Sequence, residues 1–220
     1  MPLQTFYNLS SQRKKAILVV AYEEFAFSTY EAASVSNIVK KLEIAKGSFY
    51  RYFKNKTDLY AFLIENAYQM RREQLDDLLE NESLGFFEII RENFRNKIIF
   101  DLKHPLESIF LFNALLESNA PEVKPILDEL KREVLLFVSS LIAVFQKKGE
   151  INSTVSPEIA SQFIFQTQLG IYEYLSVFKG INFKESVQVG RLFPLSEDEI
   201  MAIVDEMLLI IKSGLKNSGA

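Results

Sequence analysis

The run Lys46-Gly-Ser-Phe-Tyr-Arg-Tyr-Phe-Lys-Asn-Lys56 holds side chains that touch phosphates and base edges rather than side chains that move protons or bind metals. With helical period, Phe49 and Phe53 lie four apart and must face a core. Lys46, Gly47, Tyr50 and Arg51 then point the other way. That face carries two cations, a phenol and a glycine that permits close approach, which suits a phosphate and base surface. Just upstream, Val35, Ile38, Val39 and Leu42 repeat at helical spacing after Ser34. Two short helices separated by three or four residues have the geometry of a helix-turn-helix, whose second helix fits a major groove about 12 Å wide. On composition alone, a helical hairpin with a merely solvated polar face is an equally good reading.

The elements that must position this run follow from apolar spacing, which recurs at three and four rather than at two. A first helix is expected from Ser10 or Ser11 to about Ser28, with Ile17, Val20, Ala21 and Phe25 inward. Short helices follow over 34–42 and 46–53. A fourth starts after Asn55, where Asn55 and Asp58 have the spacing of a capped first turn, and runs to about Glu80. Beyond it, 84–103 and 106–118 read as helices divided by Pro105. Pro121 and Pro125 open a long helix that ends near Lys148 before Gly149. Pro157 starts another, to about Phe178. Ser196, followed by Glu197, Asp198 and Glu199, caps a last helix to about Leu215. The expectation is an all-α fold of about nine helices: a three-helix head over residues 1–55 and a helical body over 56–220.

Charge divides along the same line. Residues 1–60 hold nine Lys or Arg against five Asp or Glu, whereas the whole chain is at −4. A basic head on an acidic body fits a partner that is a polyanion, although an excess of this size also arises by chance. Apolar residues make up 48% of the 220, enough for a sizeable core. The absence of cysteine excludes disulfides and thiolate metal sites and fits a reducing compartment. Met1 to Gln12 lacks a signal peptide's apolar stretch, and Met207–Ile211 is far shorter than the ~20 residues of a membrane span. A cytoplasmic protein with no membrane partner is expected.

The run Lys46 to Leu59, with its preceding helix, the apolar Ile44 of the turn and the first helix over 11–28, resembles the signature of the TetR family of bacterial regulators. The match is dense over about residues 11–60 and extends beyond only as a pattern of helices. The resemblance implies a ligand-responsive DNA-binding regulator, most simply a repressor, working as a homodimer on a double-stranded operator. It places Lys46, Gly47 and Ser48 at the start of the recognition helix and Tyr50 and Tyr52 at backbone phosphate or an adjacent base. Arg51 shares their outward face. Lys56 would meet a phosphate at the N-terminus of the fourth helix, where the dipole also favours an anion. Ser34 and Ser36 are either backbone contacts or helix caps. Two positions depart from the family. Glu43 stands where glycine is usual, so it must take up a strained turn, and Ala45 replaces a capping serine or threonine.

In the body, the helix from Pro157 to Phe178 and the last helix are apolar nearly all round, so both must be covered on two faces. Either one protomer's core absorbs them or they form a four-helix interface with twofold mates, as the resemblance implies. Phe163, Ile164, Ile171, Leu175, Ile200, Val204, Met207, Leu208 and Ile211 are the interface candidates. The middle of the chain is rich in phenylalanine. Phe87, Phe94, Phe110, Phe137 and Phe163, with Asn113, Glu117 and Gln166 as polar partners, are candidates to line a site for an apolar effector. A simply packed core explains them equally well. His104, the one histidine, reads as a surface or capping residue, and no metal or cofactor is assigned. An enzyme is not expected: there is no glycine-rich phosphate loop, no GxSxG elbow and no histidine pair. A helical adaptor that binds protein rather than DNA is the competing reading.

Overall fold

The computed structural model describes residues 1–72, 78, 83–117 and 120–217. The described residues form eleven helices: α1 (Gln4–Tyr7), α2 (Ser11–Ala26), α3 (Val35–Lys41), α4 (Lys46–Tyr50), α5 (Lys56–Arg72), α6 (Phe86–Lys103), α7 (Pro105–Leu116), α8 (Lys124–Lys147), α9 (Pro157–Lys179), α10 (Phe183–Gln188) and α11 (Glu197–Leu215). Among the described residues there is no strand, only an isolated bridge between Ile151 and Lys216. The fold is all-α, as expected. The two helices beyond the expected nine, α1 and α10, span four and six residues, too short to show a period. The end expected for the fourth helix, near Glu80, lies outside the described residues.

Helix boundaries follow the capping chemistry. Ser10 Oγ accepts the Arg13 amide, and Asn55 Oδ1 accepts the Asp58 amide at 2.7 Å. Ser196 and Glu199 form a reciprocal capping box, and Ser156 with Pro157 opens α9. Gly180 closes α9 in the left-handed region, where a side chain would be strained.

The chain forms two compact units: residues 1–70 with 104–128, and residues 71–103 with 129–220. In the first, α2 packs along α7. Its core is an aromatic knot in which Phe25, Tyr60 and Phe110 have ring centroids 5.1–6.3 Å apart, with Tyr22 5.3 Å from Phe110. Phe110, one of the residues expected to line an effector site, is 1% exposed inside this knot. The buried Tyr22 hydroxyl donates to the Leu63 carbonyl and accepts from Asn66 Nδ2, both at 3.0 Å. Burial raises its pKa, so it stays a neutral donor.

In the second unit, α11 packs against α6 and α9. Arg91 of α6 grips Asp205 of α11 through both carboxylate oxygens, at 2.7 and 2.9 Å. Between α6 and α9 lies a buried ion pair. Lys97 Nζ donates to Asp101 at 2.5 Å and sits 4.1 Å from the Tyr172 ring centroid. Arg71 Nη2 donates to the buried Gln168 Oε1 at 3.1 Å.

The body helices turn most of the residues expected at a dimer interface into the protomer's own core. Ile164, Ile171, Leu175, Ile200, Val204, Leu208 and Ile211 are buried within the protomer, and Met207 is half-buried. Only Phe163 of the expected set is exposed. The other exposed large apolar residues on these two helices are Ile159, Val177 and Phe178 on α9, and Leu209 and Ile210 on α11; Leu136 and Val144 are exposed on α8. Gln166 is exposed on α9, whereas Phe94 is fully buried and Phe87 and Phe137 half-buried.

The buried pair makes a sharp test. Lys97→Met strands Asp101 and is expected to cost ~3 kcal/mol or more, whereas Lys97→Met with Asp101→Leu recovers most of it, read from guanidinium unfolding midpoints. Desolvation pulls the Lys97 pKa down to about 8, while Asp101 opposes the shift. The unfolded lysine keeps its proton to about 10.5. Between those values the unfolded chain binds more protons, so wild-type stability rises with pH from about 8 upward. The double variant loses that rise.

Candidate nucleic-acid interface

Helix α3 is started from two sides. Ser34 Oγ accepts the Ser36 amide at 3.2 Å, and the nearly buried Glu24 carboxylate accepts the Ser34 amide at 2.9 Å and Asn37 Nδ2 at 3.0 Å. Ser34 therefore caps α3, and Ser36 is exposed. Ile38 and Val39 bury the helix against α2.

The turn after α3 is a Schellman motif. The Ile44 amide donates to the Val39 carbonyl and the Glu43 amide to Lys40, both at 3.1 Å. The motif puts Glu43 in the left-handed region at φ 54°, the strained glycine position anticipated from the sequence. The side chain is exposed. Ala45 stands at the N-cap of α4 with no side-chain bond to the helix.

On α4, Phe49 and the following Phe53 are buried with ring centroids 5.8 Å apart. Lys46, Gly47, Tyr50 and Arg51 are exposed, Ser48 is half-buried, and Tyr50 is propped edge-on against Phe49 at 5.2 Å. A Cβ built on Gly47 would meet nothing within 4 Å, so packing inside the protein does not require glycine there. Tyr52 is half-buried.

Three residues have partners that differ from expectation. Lys56 Nζ, expected at a phosphate, is turned into the loop before α3. It donates to the carbonyls of Tyr30 at 2.7 Å, Glu31 at 3.3 Å and Ala33 at 3.2 Å, and lies 4.3 Å from the Tyr30 ring centroid. Three acceptors account for all its protons. Asn113 and Glu117, expected beside an effector, have partners within the head. Asn113 Nδ2 donates to the Ala26 carbonyl at 2.7 Å, and Glu117 Oε2 accepts the Tyr30 amide at 3.0 Å, so both hold the loop between α2 and α3. Sequence reading missed Glu24 and Tyr30 as supports of the head. A carboxylate within an otherwise apolar helix stripe was the available signal for Glu24.

A short helix pair with a buried aromatic seam and a cationic, phenolic outer face defines a helix-turn-helix DNA-binding protein. Residues 17–62 match the family model of bacterial regulatory proteins of the tetR family. An HTH-type transcriptional regulator of Bacillus subtilis, YhgD, is 27% identical over 153 residues, which is 70% of this chain and 78% of that protein. A TetR family transcriptional regulator from Chloroflexus aurantiacus superposes with a TM-score of 0.76 at 22% identity, over 98% of this chain and 99% of the other. The regulator FadR from Bacillus subtilis in complex with stearoyl-CoA gives 0.70 at 20% identity, over 91% and 98%. The chain is thus similar to TetR-family transcription regulators, in sequence over residues 17–62 and in fold over nearly its whole length. Its relatives are regulators and not enzymes.

The geometry separates contact residues from supports. Tyr50→Ala is expected to leave thermal melting unchanged and to weaken duplex binding in gel shifts, whereas Lys56→Met lowers both. Gly47→Ala keeps or raises the melting temperature, because alanine favours a helix, yet weakens binding about tenfold by filling the approach surface. Glu43→Gly relieves the left-handed strain and stabilises the fold by ~1 kcal/mol in chemical denaturation.

Proposed function

We propose that the chain is a ligand-responsive repressor, released from a double-stranded operator by a small, largely apolar effector, and that it works in the cytoplasm as a homodimer. Residues 1–55 serve as the DNA-binding domain and 56–220 as the ligand-binding and dimerisation domain. The carrying observation is the outward face of α4, where Lys46, Gly47, Tyr50 and Arg51 are exposed on a helix whose other side is locked by Phe49 and Phe53.

The dimer reading rests on the exposed stripe of Ile159, Phe163, Val177 and Phe178 on α9 with Leu209 and Ile210 on α11. Exposed apolar residues grouped on two packed helices favour a covering partner. A twofold mate would use the same residues in return and would supply the second recognition helix for a second half-site. The apolar effector is supported by the relative solved with stearoyl-CoA and by the aromatic content of the second unit, where Phe87, Phe94 and Phe137 remain the candidate walls. Among the described residues, no helix is long and apolar enough to cross a membrane.

Release follows if the effector binds the DNA-incompetent arrangement more tightly than the competent one. The shift in operator affinity equals that preference.

Selection of bound duplexes from genomic DNA, followed by salt titration, tests the reading. Capture that falls steeply with salt is expected from counterion release. Absence of any captured duplex would support the adaptor alternative. Stearoyl-CoA added to the bound duplex is expected to release it. Phe163→Glu with Ile210→Glu is expected to sediment as a folded monomer of 25.3 kDa with weakened operator binding, while the wild type sediments at twice that mass.

A further inference from the structure

The ten residues before α2 precede the family match, which starts at residue 17. They fold back onto the end of the recognition helix. Helix α4 closes with the Tyr52 and Phe53 amides both donating to the Phe49 carbonyl. The carbonyls of Arg51 and Tyr52 lie beyond those last helical bonds, where a helix presents unsatisfied acceptors and partial negative charge. Both are met from the N-terminal segment: the Leu3 amide donates to Tyr52 O at 2.8 Å, and the Thr5 hydroxyl donates to Arg51 O.

Phe6 anchors this arrangement. It is 2% exposed, with ring centroids 5.1 Å from Phe53, 5.5 Å from Phe62 and 6.5 Å from Tyr52. The segment is tied to α2 as well, because Lys14 Nζ donates to the Tyr7 carbonyl at 3.4 Å.

We infer that Leu3, Thr5 and Phe6 form an external C-terminal cap for the recognition helix and act as positioning residues for its DNA contacts. Two physical effects combine. Donors from Leu3 and Thr5 satisfy acceptors that would otherwise face a polyanion. Phe6 fixes the last turn, which carries Arg51 and the half-buried Tyr52, so the outward groups meet phosphate already ordered. This inference rests on the DNA-binding reading.

The test uses the full chain with Phe6→Ala, Phe6→Leu and Thr5→Val. Amide hydrogen exchange is read on the free protein, and gel-shift affinity on duplexes that the wild type selects. In Phe6→Ala, exchange at Arg51, Tyr52 and Phe53 is expected to rise about tenfold while Tyr60 to Ile64 are unchanged, and affinity is expected to fall about tenfold. Phe6→Leu restores both, because it refills the space. Thr5→Val shows the same local pattern more weakly and decides the matter if Phe6→Ala fails to fold. Unchanged affinity, or faster exchange spread evenly through the helices, would overturn the inference. If the wild type selects no duplex, the DNA-binding reading fails, and the exchange arm alone decides whether the segment orders the turn.

Discussion

The head depends on how the loop between α2 and α3 is held. This loop sets where α3 starts and therefore where the recognition helix lies. It contains Tyr30, whose groups are used almost completely. Its amide donates to Glu117, its carbonyl accepts from Lys56, its hydroxyl lies 2.7 Å from Thr57 Oγ1, and its ring carries the Lys56 ammonium on one side and packs edge-on against Tyr60. A half-buried ammonium with three carbonyl partners and an aromatic face has replaced its hydration without needing a carboxylate. The loop is thereby fixed to the first turn of α5 and to the end of α7, and Glu24 fixes its other end to α2. Removing any one partner strands the others, which is why so small a loop can define an interface.

The second unit meets a different constraint. Helices α9 and α11 carry more apolar residues than one protomer can cover. The residues left outside fall on one stripe per helix instead of being scattered. In the interior, a lysine, an aspartate, a tyrosine and a glutamine interrupt the apolar packing between α6 and α9. Burial and the Asp101 carboxylate both drive the Tyr172 pKa upward, so the phenol stays protonated and can donate to Asp101. A buried ion pair of this kind adds little net stability over an apolar replacement, but it disfavours any other register of the two helices, since a slip would leave a charge alone.

Much of the fold was legible because its signals are local. Ser10, Asn55, Ser196 with Glu199, and Pro157 each act within one helical turn of themselves, and each stands where its chemistry places it. Glu43 was legible through the resemblance, in which glycine is usual at that position of the turn. What could not be read depends on contacts across long separations. Lys56 finds its acceptors 23 to 26 residues away, and Asn113 and Glu117 find theirs 87 residues away. Spacing along one helix shows that Asn113 and Glu117 share a face with Phe110, but not which element that face meets. On helices apolar all round, period alone also fails to separate the stripe that enters the core from the one left outside. Ile164 and Phe163 are neighbours with opposite fates for that reason.

The placement of Asn113 and Glu117 sets a scale for regulation in a protein of this class. Helix α7 follows α6 in the chain with only His104 between them, so it is covalently continuous with the second unit while its hydrogen bonds belong to the first. A hydrogen bond to a neutral partner contributes ~1 kcal/mol net, and one to a carboxylate about twice that. Breaking the Asn113–Ala26 and Glu117–Tyr30 bonds together therefore involves ~3 kcal/mol, which is the upper end of ordinary coupling free energies. An equilibrium that makes and breaks these two bonds spans about a hundredfold in its constant.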